Sequence, residues 1–428
     1  MIDEISMVET NSNAYKWDKK ISFYVIFYFI ASSCNMAIKN ILPIPDALWG
    51  LLSMAWGAAI LFFMFRAIKE VMRRNSRLLM MSYAGFGALY LLSFTLTILR
   101  GDPINTILRD SLFLNFAWWI PVGVFACSVY DKRVLMDTMY KGSFIISVVL
   151  LVYFHRGRVA MSLEDANMYS MTFGFAFILP IILHVSKLFN RFNKWLCLFV
   201  FLEVFTLFVF ANRGVVLSLL FYLAYKTIQI SGRGSKSFII VFLIIMVGVM
   251  VLAFSDNLLG SINGFLNANN LQSRTLSMME ADNITDDSGR SWIWGICFDM
   301  ILDKPILGWG LGSEYYHIAK AMGVSAANVT ASAFTPHNAI IQAFVNFGVI
   351  GGLIVFIIFL RPLFGLKRIK DDATKELILI TGSAALIPCL ISSDGLFYKP
   401  ELAIYLYLFY QYGKNRITIR KQLYEKAY

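Results

Sequence analysis

The chain is poor in charge, in histidine and in paired cysteine, and each shortage removes a class of protein. Charged residues fill 15% of its 428 positions, whereas a soluble domain carries about a quarter. A surface wetted on all sides is therefore excluded. Of the five cysteines, Cys34, Cys127, Cys197 and Cys389 lie in apolar runs and Cys297 stands alone in a long loop. That leaves neither a disulfide framework nor a metal-ligand spacing. No fixed-period repeat and no low-complexity tract occurs. The apolar runs do not alternate, so a membrane β-barrel is excluded as well.

What remains is apolar: 58% of residues are hydrophobic, 15% aromatic, and the mean hydropathy is +0.64. Apolar stretches of about 18–20 residues recur between short basic connections, the pattern of a polytopic helical membrane protein. Twelve spans are expected, near 21–38, 47–65, 78–99, 111–130, 137–154, 169–186, 195–211, 214–226, 237–254, 338–360, 377–393 and 401–413. The eighth and twelfth are short for a full crossing. The fold class is thus all-α, a single membrane domain over residues 1–428. The first twenty residues are polar and the first apolar run is long enough to span, so no cleavable signal is expected.

The net charge of +11 does not point to nucleic acid, because the basic residues sit in short loops rather than on one face. With the N-terminus cytoplasmic, 27 of the 38 Lys and Arg fall on the cytoplasmic side, among them Arg66, Arg73, Arg74, Arg77, Lys132 and Arg368. Every cytoplasmic connection is then basic, as the positive-inside rule requires. Both termini are cytoplasmic in this topology, and one long outer loop covers residues 255–337.

Within that loop, 255–287 is polar and reads as poorly structured. Asp286, Asp287 and Ser288 suit a helix cap, and Trp292, Ile293, Ile296, Met300 and Ile301 give Arg290–Asp303 an amphipathic helical pattern. That helix is expected to lie on the membrane surface or on the bundle. Lys304-Pro305 ends it, Gly308, Gly310 and Gly312 make a turn, and Glu314–Met322 suits a second short helix. Pro336 favours a helix start, which places His337 and Asn338 at the outer mouth of the tenth span.

Arg213 interrupts the apolar run Phe208–Val216 at the outer face. Two readings fit it: a functional cation awaiting an anion, and an interfacial arginine that snorkels from a helix turn. Arg290 and His337 are ambiguous one by one, as a solvated loop arginine and a helix-capping histidine. Together with Arg213 they converge on one side of the membrane. Two guanidiniums fork onto phosphate oxygens, and a neutral imidazole accepts a proton near neutral pH. This set suits a reaction with a phosphate leaving group at the membrane surface. Asp394, at the outer end of the eleventh span, would orient His337, pair with an arginine, or simply sit at the interface. Arg156, Arg158 and Asn167, beside Glu164 and Asp165, would bind acceptor or pyrophosphate, or serve as ordinary loop polarity. Asn338 joins these substrate-binding candidates. Glu203, buried in the seventh span, needs a partner; His155, His184 and His317 are given no role.

Asn212-Arg213-Gly214, Gly289-Arg290-Ser-Trp-Ile-Trp, Lys304-Pro-Ile-Leu-Gly-Trp-Gly, Pro336-His337-Asn338 and Phe347-Gly-Val-Ile-Gly-Gly352 follow one another in order. In these motifs and in topology the chain resembles the O-antigen ligase and polymerase superfamily of bacterial surface glycan assembly. Asp165-Ala-Asn167 adds a weaker feature. The resemblance implies an inverting, metal-independent glycosyltransferase of the bacterial inner membrane, with no cofactor and its active site on the outer face. The donor would be an undecaprenyl-diphosphate-linked glycan. Arg213 and Arg290 would hold the diphosphate, and His337 would deprotonate or position the acceptor hydroxyl. The acceptor would be a lipid-linked repeat unit in a polymerase or lipid A core in a ligase, with a chain-length regulator as a possible partner. The polymerase branch, the more numerous and variable, is the expectation. A lipid-linked oligosaccharide flippase would instead show repeats and charges deep in several spans.

Overall fold

A computed structural model describes residues 2–41, 45–100, 112–157, 171–210, 213–231, 290–324, 334–391 and 399–425, with isolated positions 264 and 268. Every regular element among them is helical. In chain order these are α1 (Ile2–Ile41), α2 (Asp46–Arg100), a π-turn at Asn115–Trp119 leading into α3 (Ile120–Ser128), and α4 (Lys132–Gly157). Then come α5 (Met171–Asn190), α6 (Lys194–Phe210), α7 (Arg213–Ser231), α8 (Arg290–Asp303), α9 (Glu314–Ala321), α10 (Ala339–Gly365), α11 (Asp372–Ile391) and α12 (Pro400–Glu425). Among the described residues, five helices are long and apolar enough to cross a membrane: Ala47–Arg100, Lys132–Tyr153, Phe173–Asn190, Ala339–Arg368 and Asp372–Leu390. The ninth expected span, 237–254, lies outside the described residues, as does nearly all of 255–289.

Two elements differ from the sequence reading. The second and third expected spans are joined by helix rather than by a loop, and Asn75 (φ −142°, ψ 35°) alone is non-helical inside α2. α7 runs for 19 residues, longer than the short eighth span expected from hydropathy; its polar last turn holds Lys226, Thr227 and Gln229, which lengthen a helix without adding to an apolar run.

The chain forms two compact units, one of residues 1–25, 61–138 and 287–428, the other of 26–60 and 139–286. In the first unit α12 packs along α3 and α11. Gly123 lets this happen, because a Cβ there would stand 2.4 Å from the Tyr407 ring. Near the Asn75 break, charges expected in a solvated basic connection turn inward instead. Arg74 is fully buried, ion-paired with Asp18 and with Glu70 (2.6 Å), and donates to Ser128 O at 2.8 Å. Asp18 also accepts from the backbone N–H of Asp131 at 2.9 Å. Asn75 donates to Ser128 Oγ (2.9 Å) and accepts from Gln411 (3.2 Å). A buried cation is tolerated only when paired and hydrogen-bonded in this way, so the break in α2 and the charge cluster are one construction. In the second unit α5 packs against α6 and α7.

Candidate active site

α8 begins at Arg290, as its sequence pattern requires, but its inward face is shifted from the expected one. Ile293, Cys297 and Met300 are buried at helical spacing and pack with Ile318, Ala319, Phe334 and Val345. Trp292, expected on that face, is exposed, and Cys297, which seemed a lone loop cysteine, occupies the core. Burial pushes the Cys297 thiol up to about 12, with Glu314 adding to the effect, so it is no nucleophile at neutral pH. Trp294 Nε1 donates to Pro336 O at 2.7 Å, which ties the start of α8 to the residue before His337.

His337 has φ 52°, the one positive φ outside glycine among the described residues. A side chain held in that region marks a position that its surroundings over-determine. The following residue supplies part of the constraint. Asn338 caps α10, its Oδ1 accepting from the N–H groups of Ile340 (2.9 Å) and Ile341 (3.1 Å). Its Nδ2 donates to Leu390 O at 2.9 Å, near the end of α11. Both ends of this carboxamide, read from sequence as substrate-binding, are thus engaged in structure. The His337 imidazole is different: Nδ1 is buried and has no hydrogen-bond partner. Burial, and then the charge of Arg290, lower its pKa from 6.5 to about 4. At neutral pH it is an uncharged proton acceptor beside a guanidinium.

Beneath this mouth the two glycine motifs meet. α10 is broken at Gly348 (φ 68°, ψ −173°), and the Pro305–Gly310 turn fills the break with backbone hydrogen bonds. Trp309 N donates to Val345 O (2.8 Å), Gly310 N to Asn346 O (2.9 Å), and Val349 N to Pro305 O (2.7 Å). A Cβ on Gly308 would stand 2.5 Å from the Asn346 backbone, and one on Gly348 would stand 2.4 Å from Ile306 O. Both glycines also have positive φ, so neither position admits a side chain. Arg100, from the end of α2, donates to Trp309 O and, at 2.8 Å, to Gly308 O.

Glu314, fully buried at the start of α9, accepts from Gln342 Nε2 at 2.6 Å. With its amide nitrogen turned to the carboxylate, Asn346 donates to Glu314 Oε2 (2.6 Å) and Gly310 O (3.0 Å). Arg100, Glu314, Gln342 and Asn346 were missed by sequence reasoning. Arg100 ends an apolar run and resembles any loop cation; the others are polar residues whose partners lie far away along the chain. Tyr315 is buried beside them, its hydroxyl accepting from Gln342 at 3.2 Å.

The structure therefore brings Arg290, His337 and Asn338 to one mouth. Arg213 opens α7 in the other unit and Arg156 lies in the last turn of α4; their side chains are outside the described residues, as are Arg158, Asn167 and Asp394 entirely. Glu203 has the partner its burial demanded. Its Oε1 lies 2.8 Å from His184 Nδ1, and His184 Nε2 lies 2.8 Å from Ser143 Oγ, all three fully buried. Ser143 directs its proton to Tyr140 O (2.6 Å), so this is a hydrogen-bonded chain between α4, α5 and α6, with Glu203 Oε2 left without a partner, and not a poised nucleophile. No group of His, Cys, Asp and Glu suited to a metal ion occurs among the described residues.

Residues 196–356 match the family model described as O-antigen ligase. The matched segment contains Arg213, Arg290, His337 and both halves of the glycine clasp, and it supports placement in the O-antigen ligase and polymerase superfamily. No curated protein gives a significant match.

Proposed function

We propose, taking the O-antigen ligase match over residues 196–356 as the starting point, that the protein polymerises a lipid-linked glycan at the outer face of the bacterial inner membrane. The observation that carries this reading is the neutral His337 imidazole, with an unpartnered buried nitrogen, beside the Arg290 charge. The donor is a glycan on undecaprenyl diphosphate and the acceptor a lipid-linked repeat unit. Arg290, with Arg213, holds the diphosphate oxygens by charge-assisted hydrogen bonds. The imidazole takes the proton of the acceptor hydroxyl as its oxygen bonds to the anomeric carbon. The bond from that carbon to the diphosphate oxygen breaks, and undecaprenyl diphosphate leaves with the electron pair. Attack opposite the leaving group inverts the anomeric centre. The guanidiniums supply the positive charge that this leaving group needs, so the reaction as proposed calls for no metal. Diphosphate bound at Arg290 offsets that residue's effect on His337 and raises the imidazole's basicity when it is required.

The matched model's description favours a second reading, transfer of the glycan to lipid A core. One experiment separates the two. Purified protein is given synthetic undecaprenyl-diphosphate repeat units, alongside Arg213→Ala, Arg290→Ala and His337→Ala, and products are resolved on a gel. A ladder from repeat units alone, lost in the variants, supports the polymerase. Product only after addition of lipid A core makes the protein a ligase. Unchanged activity in all three variants removes the site assignment under either reading.

A further inference from the structure

We infer that the Lys304–Trp309 turn is embedded in the lipid layer and acts as a protein wedge at the membrane boundary beside α10. The first observation is a change in α10 at its break. From Ala339 to Gly348 no residue of the helix is exposed, whereas Ile350, Leu353, Ile354 and Ile357 below it are. Apolar side chains exposed along a helix fit to span a membrane face acyl chains. The second is level. Lys367 and Arg368 mark the far end of this helix, and at about 1.5 Å per residue Gly348 stands roughly 30 Å from Arg368, about the thickness of the hydrocarbon layer. The turn that pairs with residues 345–349 therefore sits at the opposite edge of that layer and not above it.

The third observation is the turn's own surface. Ile306 and Leu307 are 69% and 59% exposed, and Leu302 on the last turn of α8 is 77% exposed. In water, three such side chains at the tip of a turn form an unfavourable patch. In acyl chains they continue the apolar surface of α10 across the clasp. The fourth is the backbone. Irregular main chain at membrane depth has to have its polar groups satisfied by protein, and at Pro305, Gly308, Trp309 and Gly310 they are. The carbonyls of Pro305, Gly308 and Trp309 accept from Val349 and Arg100, and the N–H groups of Gly308, Trp309 and Gly310 donate to Lys304, Val345 and Asn346. Lys304, exposed beside the Trp309 ring (5.6 Å), is placed to reach the headgroups while the turn lies deeper. The occupant of this surface is lipid acyl chain, and the inference stands whatever reaction the protein performs.

The test uses nitroxide labels on the full chain in lipid nanodiscs, in a Cys197→Ser background that removes the exposed native thiol. Ile306→Cys and Leu307→Cys are compared with Leu353→Cys as a lipid-facing reference and Lys320→Cys on α9 as a water-facing one. Collision rates with dissolved oxygen and with a water-soluble nickel chelate are measured. The expected result is an oxygen-to-nickel ratio at 306 and 307 matching Leu353 and several-fold above Lys320. A ratio equal to that at Lys320 overturns the inference. Leu302→Cys carries the same expectation if the turn does not accept a label.

Discussion

Two histidines of this chain show how far environment, and not residue type, decides chemistry. His184 lies fully buried in the second unit with both ring nitrogens engaged, by Glu203 and Ser143, and packed on the Phe144 ring at 4.2 Å. His337, in the first unit, has a strained backbone, one buried nitrogen without a partner, and a cation nearby. The first is a hydrogen-bonded joint between three helices. The second sits at a positive φ with its buried nitrogen unengaged. A partnered histidine costs stability when its partner is lost; an unpartnered one leaves a nitrogen open to a proton or a ligand.

The largest effect that would test this contrast is at His337. His337→Asn keeps a side chain tolerant of positive φ, so thermal stability in detergent should be nearly unchanged. Turnover of lipid-linked substrate should fall about 10²- to 10⁴-fold, the usual worth of a general base. Equal loss of stability and turnover would make His337 a second structural joint. Glu203→Ala reverses the pattern: it leaves the His184 Nδ1 without its partner and should cost about 1–3 kcal/mol, seen as a lowered melting temperature with activity per folded molecule retained. Loss of turnover at full stability would move Glu203 to the functional side.

Gly348→Ala probes the support under the mouth. The added Cβ meets Ile306 O in a backbone held at φ 68°, so about 1–3 kcal/mol of local strain is expected, visible as faster proteolysis near the Pro305–Gly310 turn. A change in pH dependence is the smallest effect. The rate at low substrate (kcat/KM), which reports the free enzyme, should hold steady as pH falls from neutral and drop through about 4, where the free imidazole takes up its proton. Arg290→Gln removes a charge that lowers this pKa, so the acid limb should move to higher pH. An unmoved limb would show that Arg290 does not act on His337.

Much of the segment from Arg290 to Asn338 was legible in order. Arg290–Asp303 and the short helix from Glu314 stand where apolar spacing, Lys304-Pro305 and the glycine turn put them. The mouth at His337–Asn338 followed from Pro336, while the capping role of Asn338 did not. What could not be read was anything decided by partners distant in the chain. Gly348 lies in an apolar run that gives no sign of a break until the turn from Pro305 is laid against it. Arg74 looked like a loop cation because Asp18 and Glu70 were not known to surround it. Glu203 announced the need for a partner but not which of four histidines would meet it.

The glycine clasp also has an evolutionary reading. Gly308 and Gly348 are two halves of one backbone contact, so neither can drift while the other stays. Residues 305–310 and 345–349 should therefore be inherited as a pair. A chimera that borrows an outer segment from a relative to change sugar preference will hold together only when both pieces come from the same parent. The seam for such grafts runs through the membrane helix itself, below Val349, and not at the end of the loop.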